Sequence, residues 1–315
     1  MPEIHHMIDT REYHSFSPLA EELNFNPEKN YLFDLSFMGC LDLIGDKAAE
    51  YLQGQLSCDI REVTTSHMRQ GAMCNLKGRV LALMDVIDWH GIHLILPSDL
   101  IVPTQTSLMK TAMFSQVRIE INPTFQLFGF YLQNPLDVIP FGVNLPIERY
   151  AVANHENFCC YHLGQGYYIF LVKVSEGSAL KNQFSKLNQL RGSLAWHAQQ
   201  LQQHHVSIYP SSRGLFLPHR IDLHKSSYLS FNKGCYKGQE IIARMHYRSK
   251  PKHEIKVFTI TTDKPIQLGQ QVVDQNNIEL GEVIDFCPIG QNKYTLTASV
   301  LFDSPEQFRL KNKTN

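Results

Sequence analysis

The chain has 315 residues, enough at roughly 100 to 200 residues per domain for two or three packed units and too many for one small module. Hydrophobic residues make up 43% of it and charged residues 19%, which excludes a disordered, collagen-like or coiled-coil chain. Lys and Arg total 29 against 30 Asp and Glu, a net charge of −1, so no uniformly basic surface coats nucleic acid, although a local patch can bind it.

The N-terminal stretch MPEIHHMIDTREYH carries acids and histidines where a secretory signal has a basic start and an apolar run. The longest apolar stretches, such as YYIFLV at 167–172, fall far short of the roughly 20 residues that span a bilayer. A cytoplasmic protein without membrane contact is expected. Seven cysteines, odd in number and without a C-x-x-C pair, fit a reducing compartment and offer no zinc or cluster framework of the usual spacing.

In chain order, a strand-like run at 40–44 precedes Gly45-Asp46, which can start a helix whose Ala48, Tyr51 and Leu52 recur at helical spacing. From Gly71 two β-rich runs flank a Trp89-His90-Gly91 turn and read as a hairpin, with Trp89 an exposed turn aromatic. A helix around 104–114 and a strand at 117–121 complete an α+β layer. Asn122-Pro123 and the Pro- and Gly-rich 134–146 place a boundary between units near 120–147. Strands at 158–162 and 167–174 and helices at 179–190 and 194–205 follow. Beyond Lys250-Pro251, short β runs at 253–261, 271–273, 280–286 and 294–302 suggest a small β-barrel or sandwich.

The most informative segment is SFNKGCYKGQEIIARMH at 230–246. Gly234 and Gly238 place Cys235 and Tyr236 in a tight turn, and 239–246 is helix-forming with Ile241, Ile242 and Met245 on one face. Lys233 and Lys237 bracket the thiol, and their charges and the helix dipole favour the thiolate. From 233 to 256 seven basic residues stand against Glu240 and Glu254, a local net of +5 in a chain that is otherwise −6. Such a segment suits an anionic partner, a polyglutamylated cofactor or a nucleic acid backbone, and equally a solvated face. His155, Cys159, Cys160 and His162 resemble a ligand set on paper, but on a strand Cys159 faces away from Cys160 and His162, so no metal is expected there. The absence of a P-loop and of G-x-G-x-x-G leaves nucleotide binding without support.

KGCYKGQEIIAR at 233–244 resembles the K-G-C-Y-x-G-Q-E signature of the YgfZ family, folate-binding proteins related to the aminomethyltransferase (T-protein) of the glycine cleavage system. YLQGQLSCDI at 51–60, NLKGRVLALMDV at 75–86 and FLPHRIDL at 216–223 are similar to family segments in the same order, so the resemblance covers roughly residues 45–250. It implies an α+β three-part ring: a discontinuous folate-binding domain at 1–48 and 122–245, an inserted α+β domain at 49–121, and a C-terminal β-barrel at 246–315.

The resemblance further implies tetrahydrofolate or a derivative in a central channel, with Trp196, Phe37, Met38, Tyr236 and Gln239 as cofactor contacts. Cys235 would be a nucleophile or redox thiol tuned by Lys233 and Lys237. Gln239 would bond the cofactor or the turn backbone, and Glu240 caps the helix or does chemistry. The role implied is maturation or repair of iron–sulfur client proteins, including tRNA-modifying enzymes, and through them tRNA modification, with direct tRNA contact open to the basic 233–256 segment. Paired acids of the T-protein relatives fall at about Leu81 and Ala82, and the nearest acid, Asp85, lies about 10 Å further along a strand on the opposite face. That argues against aminomethyl transfer. Aminomethyltransferase and a non-catalytic adaptor for tRNA or a client protein are the alternatives.

Overall fold

The structure, a computed structural model, describes residues 3–248, 252–304 and 308–311. Among these residues the strands form four sheets. β1 (Ile4–Ile8) and β2 (Arg11–Ser15) make a hairpin, and α1 (Leu19–Glu22) leads to β3 (Tyr31–Asp34). β4 (Met38–Ile44), α2 (Ala48–Gln53), β5 (Arg69–Cys74), β6 (Val80–Asp88), β7 (Ile92–Pro97), α3 (Ile101–Ala112) and β8 (Arg118–Asn122) build a five-stranded sheet in the order β5-β6-β7-β4-β8. The chain returns through β9 (Phe125–Tyr131), β10 (Val152–Asn154), β11 (Phe158–Gly164), β12 (Tyr167–Lys173), α4 (Val174–Lys186) and β13 (Leu190–Arg191). With β3 these strands give a six-stranded sheet, β10-β11-β12-β9-β3-β13.

After α5 (Ser193–Gln202) and α6 (Gln239–Arg248), β14 (His253–Thr261), β15 (Gln271–Val273), β16 (Glu279–Gly290), β17 (Lys293–Leu301) and β18 (Arg309–Leu310) form the C-terminal sheet. Its order is β14-β17-β16-β15-β18, and among the described residues the edge strands β14 and β18 are not paired with one another. Where a barrel was expected, the described residues form an antiparallel five-stranded sheet. The Lys250-Pro251 junction lies outside the described residues.

The run YYIFLV is apolar throughout because the six-stranded sheet is covered on both faces. Tyr167, Ile169 and Leu171 point into the seam with the β4–β8 sheet. Tyr168, Phe170 and Val172 point to the other side, onto Leu180 and Phe184 of α4. The period of two along a strand puts Cys159 in the seam and Cys160 on the outer face, as the strand reading required. A third cluster joins the N-terminal hairpin and α5 to the C-terminal sheet.

Two expectations are corrected, the exposure of Trp89 and the placing of β4. Trp89 is 2% exposed, not a surface turn aromatic; its Nε1 donates to the His155 carbonyl at 3.0 Å, and its ring packs on Phe125. Within the segment read as a boundary the chain passes from β8 of the five-stranded sheet to β9, whose partners on either side are β12 and β3 of the six-stranded one. β4, which precedes the division expected between residues 48 and 49, pairs with β7 and β8 of the five-stranded sheet rather than with β3 or β9.

No helix among the described residues is long and apolar enough to cross a membrane. Gly129, in the middle of β9, lies against the indole of Trp196, where a Cβ would overlap the ring atoms. Gly129→Ala should therefore cost about 1–3 kcal/mol through overpacking. Urea unfolding checks this, and a midpoint unchanged from wild type would contradict the close approach.

Candidate functional site

The segments that carried the sequence signal converge on one loop. Lys233 is only 7% exposed, and its ammonium donates to three carbonyls at the end of α2 and beyond it: Gln53 at 2.8 Å, Leu56 at 2.7 Å and Cys58 at 2.6 Å. The backbone N–H of Lys237 donates to the Gly54 carbonyl at 3.1 Å. Gly238 adopts φ +84° against the Asn75 carbonyl and Gly78, a position where a side chain would collide with backbone. The K-G-C-Y loop is thus clamped by the YLQGQLSCDI and NLKGR segments, and it holds Cys235 at the surface. The chain's six other cysteines are buried.

This geometry gives Lys233 a positioning role. Burial lowers its pKa to about 8, and its charge is directed to backbone carbonyls and the face of Tyr236, 5.0 Å from the ring centroid. Tyr236 is buried in the core of the five-stranded sheet. The Gln239 side chain accepts from the Tyr236 N–H at 3.3 Å, closing the turn at the start of α6 as one of the two roles expected of it. Tyr236 and Gln239 do not line the cavity described next, and neither do Cys235, Lys233 and Lys237.

That cavity lies where the two large sheets meet, with about 780 Å³ of space free of protein atoms, its open mouth included. Trp196, Phe37 and Met38 line it, together with Leu83, Met84 and Ile169. Trp196 is set by edge contacts to Phe33 and Tyr167, with centroids at 5.3 and 5.6 Å, and by the flat backbone of Gly129.

The polar side of the cavity holds residues that the sequence pattern does not point to. Asp85 lines the cavity, so the inference that it faces away from the site is corrected. One of its carboxylate oxygens accepts from Gln70 Nε2 at 3.1 Å and the other from the Tyr161 hydroxyl at 2.9 Å. Gln70 also donates to the Tyr228 hydroxyl at 3.3 Å and accepts from Tyr150 at 3.2 Å. Burial raises the Asp85 pKa to about 6 against the opposing pull of the Gln70 and Tyr161 hydrogen bonds. Burial, with help from Arg149, lowers His205 to about 4, so the imidazole lining the cavity is neutral. The available signal was a single acid inside the apolar run VLALMDVI.

The chemistry of this lining fits a flat heterocycle with a hydrogen-bonding edge. Aromatic and aliphatic walls cover faces, and one carboxylate with amide and hydroxyl neighbours can accept ring N–H and amino protons. A pterin has that form.

The fold is that of aminomethyltransferase T: the crystal structure of that glycine cleavage protein from Bartonella henselae matches with a TM-score of 0.68 at 13% identity, over 95% of this chain and 86% of that one. In sequence the chain is similar to the YgfZ proteins. It is 26% identical to tRNA-modifying protein YgfZ of Colwellia psychrerythraea over 81% of this chain and 78% of that protein. The same-named protein of Hamiltonella defensa is 27% identical, covering 78% and 73%. That of Vibrio atlanticus is 24% identical, covering 84% and 79%. No family model matches the chain.

Asp85 generates a pH prediction. Its folded pKa, about 6, lies above the ordinary 3.8, so between those values the folded chain holds a proton that the unfolded chain has released. The resulting stabilisation is full below about pH 4 and is lost as pH rises to about 6. The stability of wild type relative to Asp85→Asn should fall across that window and level off above it, measured by urea unfolding at each pH. A difference that does not change with pH there would contradict the raised pKa of Asp85.

Proposed function

We propose that this chain is a folate-binding accessory protein of the YgfZ type that serves tRNA modification through the maturation or repair of iron–sulfur enzymes. The observation that carries the reading is the cavity in which Trp196, Phe37 and Met38 face the Asp85–Gln70–Tyr161 group. Tetrahydrofolate, when bound, supplies a one-carbon carrier. Trp196 and Met38 would cover the pterin faces, and Asp85 would accept its edge protons while Gln70 and Tyr161 hold the carboxylate in place. Leu83, Met84 and Ile169 would keep water from the ring.

Cys235 is the exposed thiol of a loop fixed on three sides, which suits a nucleophile, a redox thiol or a ligand that meets a partner at the surface. The domain reading proposed is a discontinuous folate-binding unit, an inserted α+β unit and a C-terminal β unit of barrel type. The cytoplasm is the compartment in which tRNA and iron–sulfur clients would be met.

Titration with tetrahydrofolate, followed by tryptophan fluorescence, tests the reading. Saturable quenching is expected in wild type and should be abolished in Trp196→Phe, whose remaining Trp89 is held away from the cavity by its bond to His155. Absence of binding to the wild type would remove the folate reading.

An adaptor function has one observation in its favour: Arg244, Tyr247, Arg248 and Lys252 are all exposed, presenting cations and an aromatic ring to a phosphate backbone. If tRNA binds there, Arg244→Glu with Arg248→Glu should weaken binding and lower the salt slope by about one for each phosphate no longer neutralised. Cys235→Ala should leave that binding unchanged while abolishing cellular function; a neutral Cys235→Ala would favour the adaptor alone. Aminomethyl transfer regains a candidate carboxylate in Asp85, and an assay of amine-dependent one-carbon transfer to tetrahydrofolate with purified protein decides it.

A further inference from the structure

On the far strands of the five-stranded sheet, outside the cavity, three side chains with different donor atoms converge on one point. Cys40 and Asp42 are two apart on β4 and share a face. His93 on β7 is the cross-strand partner of Asp42, and Asn122 on β8 is the partner of Cys40, so all four side chains meet on that face. The Cys40 sulfur lies 3.7 Å from Asp42 Oδ1 and 3.7 Å from His93 Nδ1, and those two atoms lie 2.7 Å apart. Cys40 is 2% exposed and His93 7%, whereas the Asp42 side chain is 24% exposed and opens the group to solvent.

The outer contacts decide what this group can be. His93 Nε2 lies 2.8 Å from the Trp89 carbonyl, a pure acceptor, so Nε2 carries the proton. Without a proton of its own, Nδ1 would be a lone pair facing a carboxylate oxygen at hydrogen-bond distance, so the gap holds either a proton or a cation. Two acceptors in that relation need a positive centre between them. A thiol–imidazole–carboxylate relay is excluded, because sulfur and carboxylate address the same ring nitrogen instead of opposite ones. The other Asp42 oxygen accepts from Asn122 Nδ2 at 2.7 Å. Asn122 is itself held by Thr124, whose N–H donates to its Oδ1 at 2.8 Å.

The geometry points to Cys40, Asp42 and His93 as a three-ligand site for a thiophilic divalent cation of the zinc class. Zinc bonded at about 2.3 Å to sulfur and about 2.0 Å to nitrogen and oxygen spaces its donors by about 3.3–3.6 Å in a tetrahedron. The sulfur, at 3.7 Å from both, lies within about 0.1 Å of that range, and the carboxylate oxygen would shift by about 0.6 Å. His93 donating its second ring N–H to a backbone carbonyl, and Asp42 held by an amide, are the outer partners such ligands take. The fourth position, on the exposed Asp42 side, is left for water. Binding exchanges the thiol proton of Cys40 and the proton between His93 and Asp42 for the cation, so two protons pass to solvent and no electron moves. The site is independent of the folate reading.

The test uses the purified full-length chain, stripped by chelator and titrated with Co(II) and then Zn(II). One Co(II) per chain should bind with a thiolate-to-cobalt charge-transfer band that Zn(II) bleaches. The band should vanish in Cys40→Ser and persist in Cys235→Ser, and Asn122→Ala should weaken zinc roughly 10–100-fold. Absence of stoichiometric binding, or a band that survives in Cys40→Ser, would overturn the proposal in favour of a simple Asp42–His93 ion pair. Should Cys40→Ser fail to fold by circular dichroism, Asp42→Asn replaces it: a zinc affinity at least tenfold lower supports the site, and an unchanged one overturns it.

Discussion

A carboxylate placed in the seam between two apolar sheets has to be met by donors, and the requirement at Asp85 shapes much of what surrounds it. Gln70 from β5 and Tyr161 from β11 reach it from opposite sheets, so the hydrogen bonds that satisfy the acid also tie the two sheets together. Tyr150, Ser227 and Tyr228 extend the same network to the loops. The space that remains between the sheets is not a packing fault. It is bounded on one side by apolar and aromatic groups and on the other by the hydrogen-bonded Asp85.

A second constraint fixes the thiol loop. Lys233 is short of water and has no carboxylate in hydrogen-bond contact among the described residues; three carbonyl dipoles take the place of a counter-ion. This explains why three separated signature segments belong together. One presents the carbonyls, one lets the backbone approach at Gly78, and one supplies the lysine and the glycine that accept both. The C-terminal sheet is tied in by a comparable knot. There Asp285, fully buried, accepts from the Tyr209 hydroxyl at 2.8 Å and the Ser207 N–H at 2.9 Å, and it lies 3.2 Å from His197 of α5.

The legible parts of the fold were those where local chemistry and tertiary fate agree. The C-terminal strands alternate and are bounded by turns, and both 253–261 and 271–273 match the observed strands. The Trp89 turn was placed correctly, but its burial depends on Phe125 and the His155 carbonyl, far away in sequence. β9 was hidden because Asn122-Pro123 and a Pro-rich stretch flank it, although its centre pairs on both sides. Trp196, Phe37 and Met38 were legible as cavity residues through family resemblance alone, since nothing periodic marks them. Asp85 was misjudged because strand parity relative to Ala82 says which way it points, not that a second sheet waits on that side. Tyr236 and Gln239 came from the resemblance alone; the contacts they make lie in the core of the five-stranded sheet and in the loop itself.

The distribution of the buried thiols has a further consequence. Cys58 and Cys74 sit in the core of the five-stranded sheet, Cys40 and Cys159 in the seam, Cys160 beneath α4, and Cys287 in the C-terminal cluster. Each layer therefore contains at least one sulfur that an alkylating reagent reaches only when that layer opens. Sub-global openings of different free energy would expose these thiols at different rates. The chain thus carries built-in reporters of the order in which its layers come apart, with Cys235 as the fast reference that needs no opening at all.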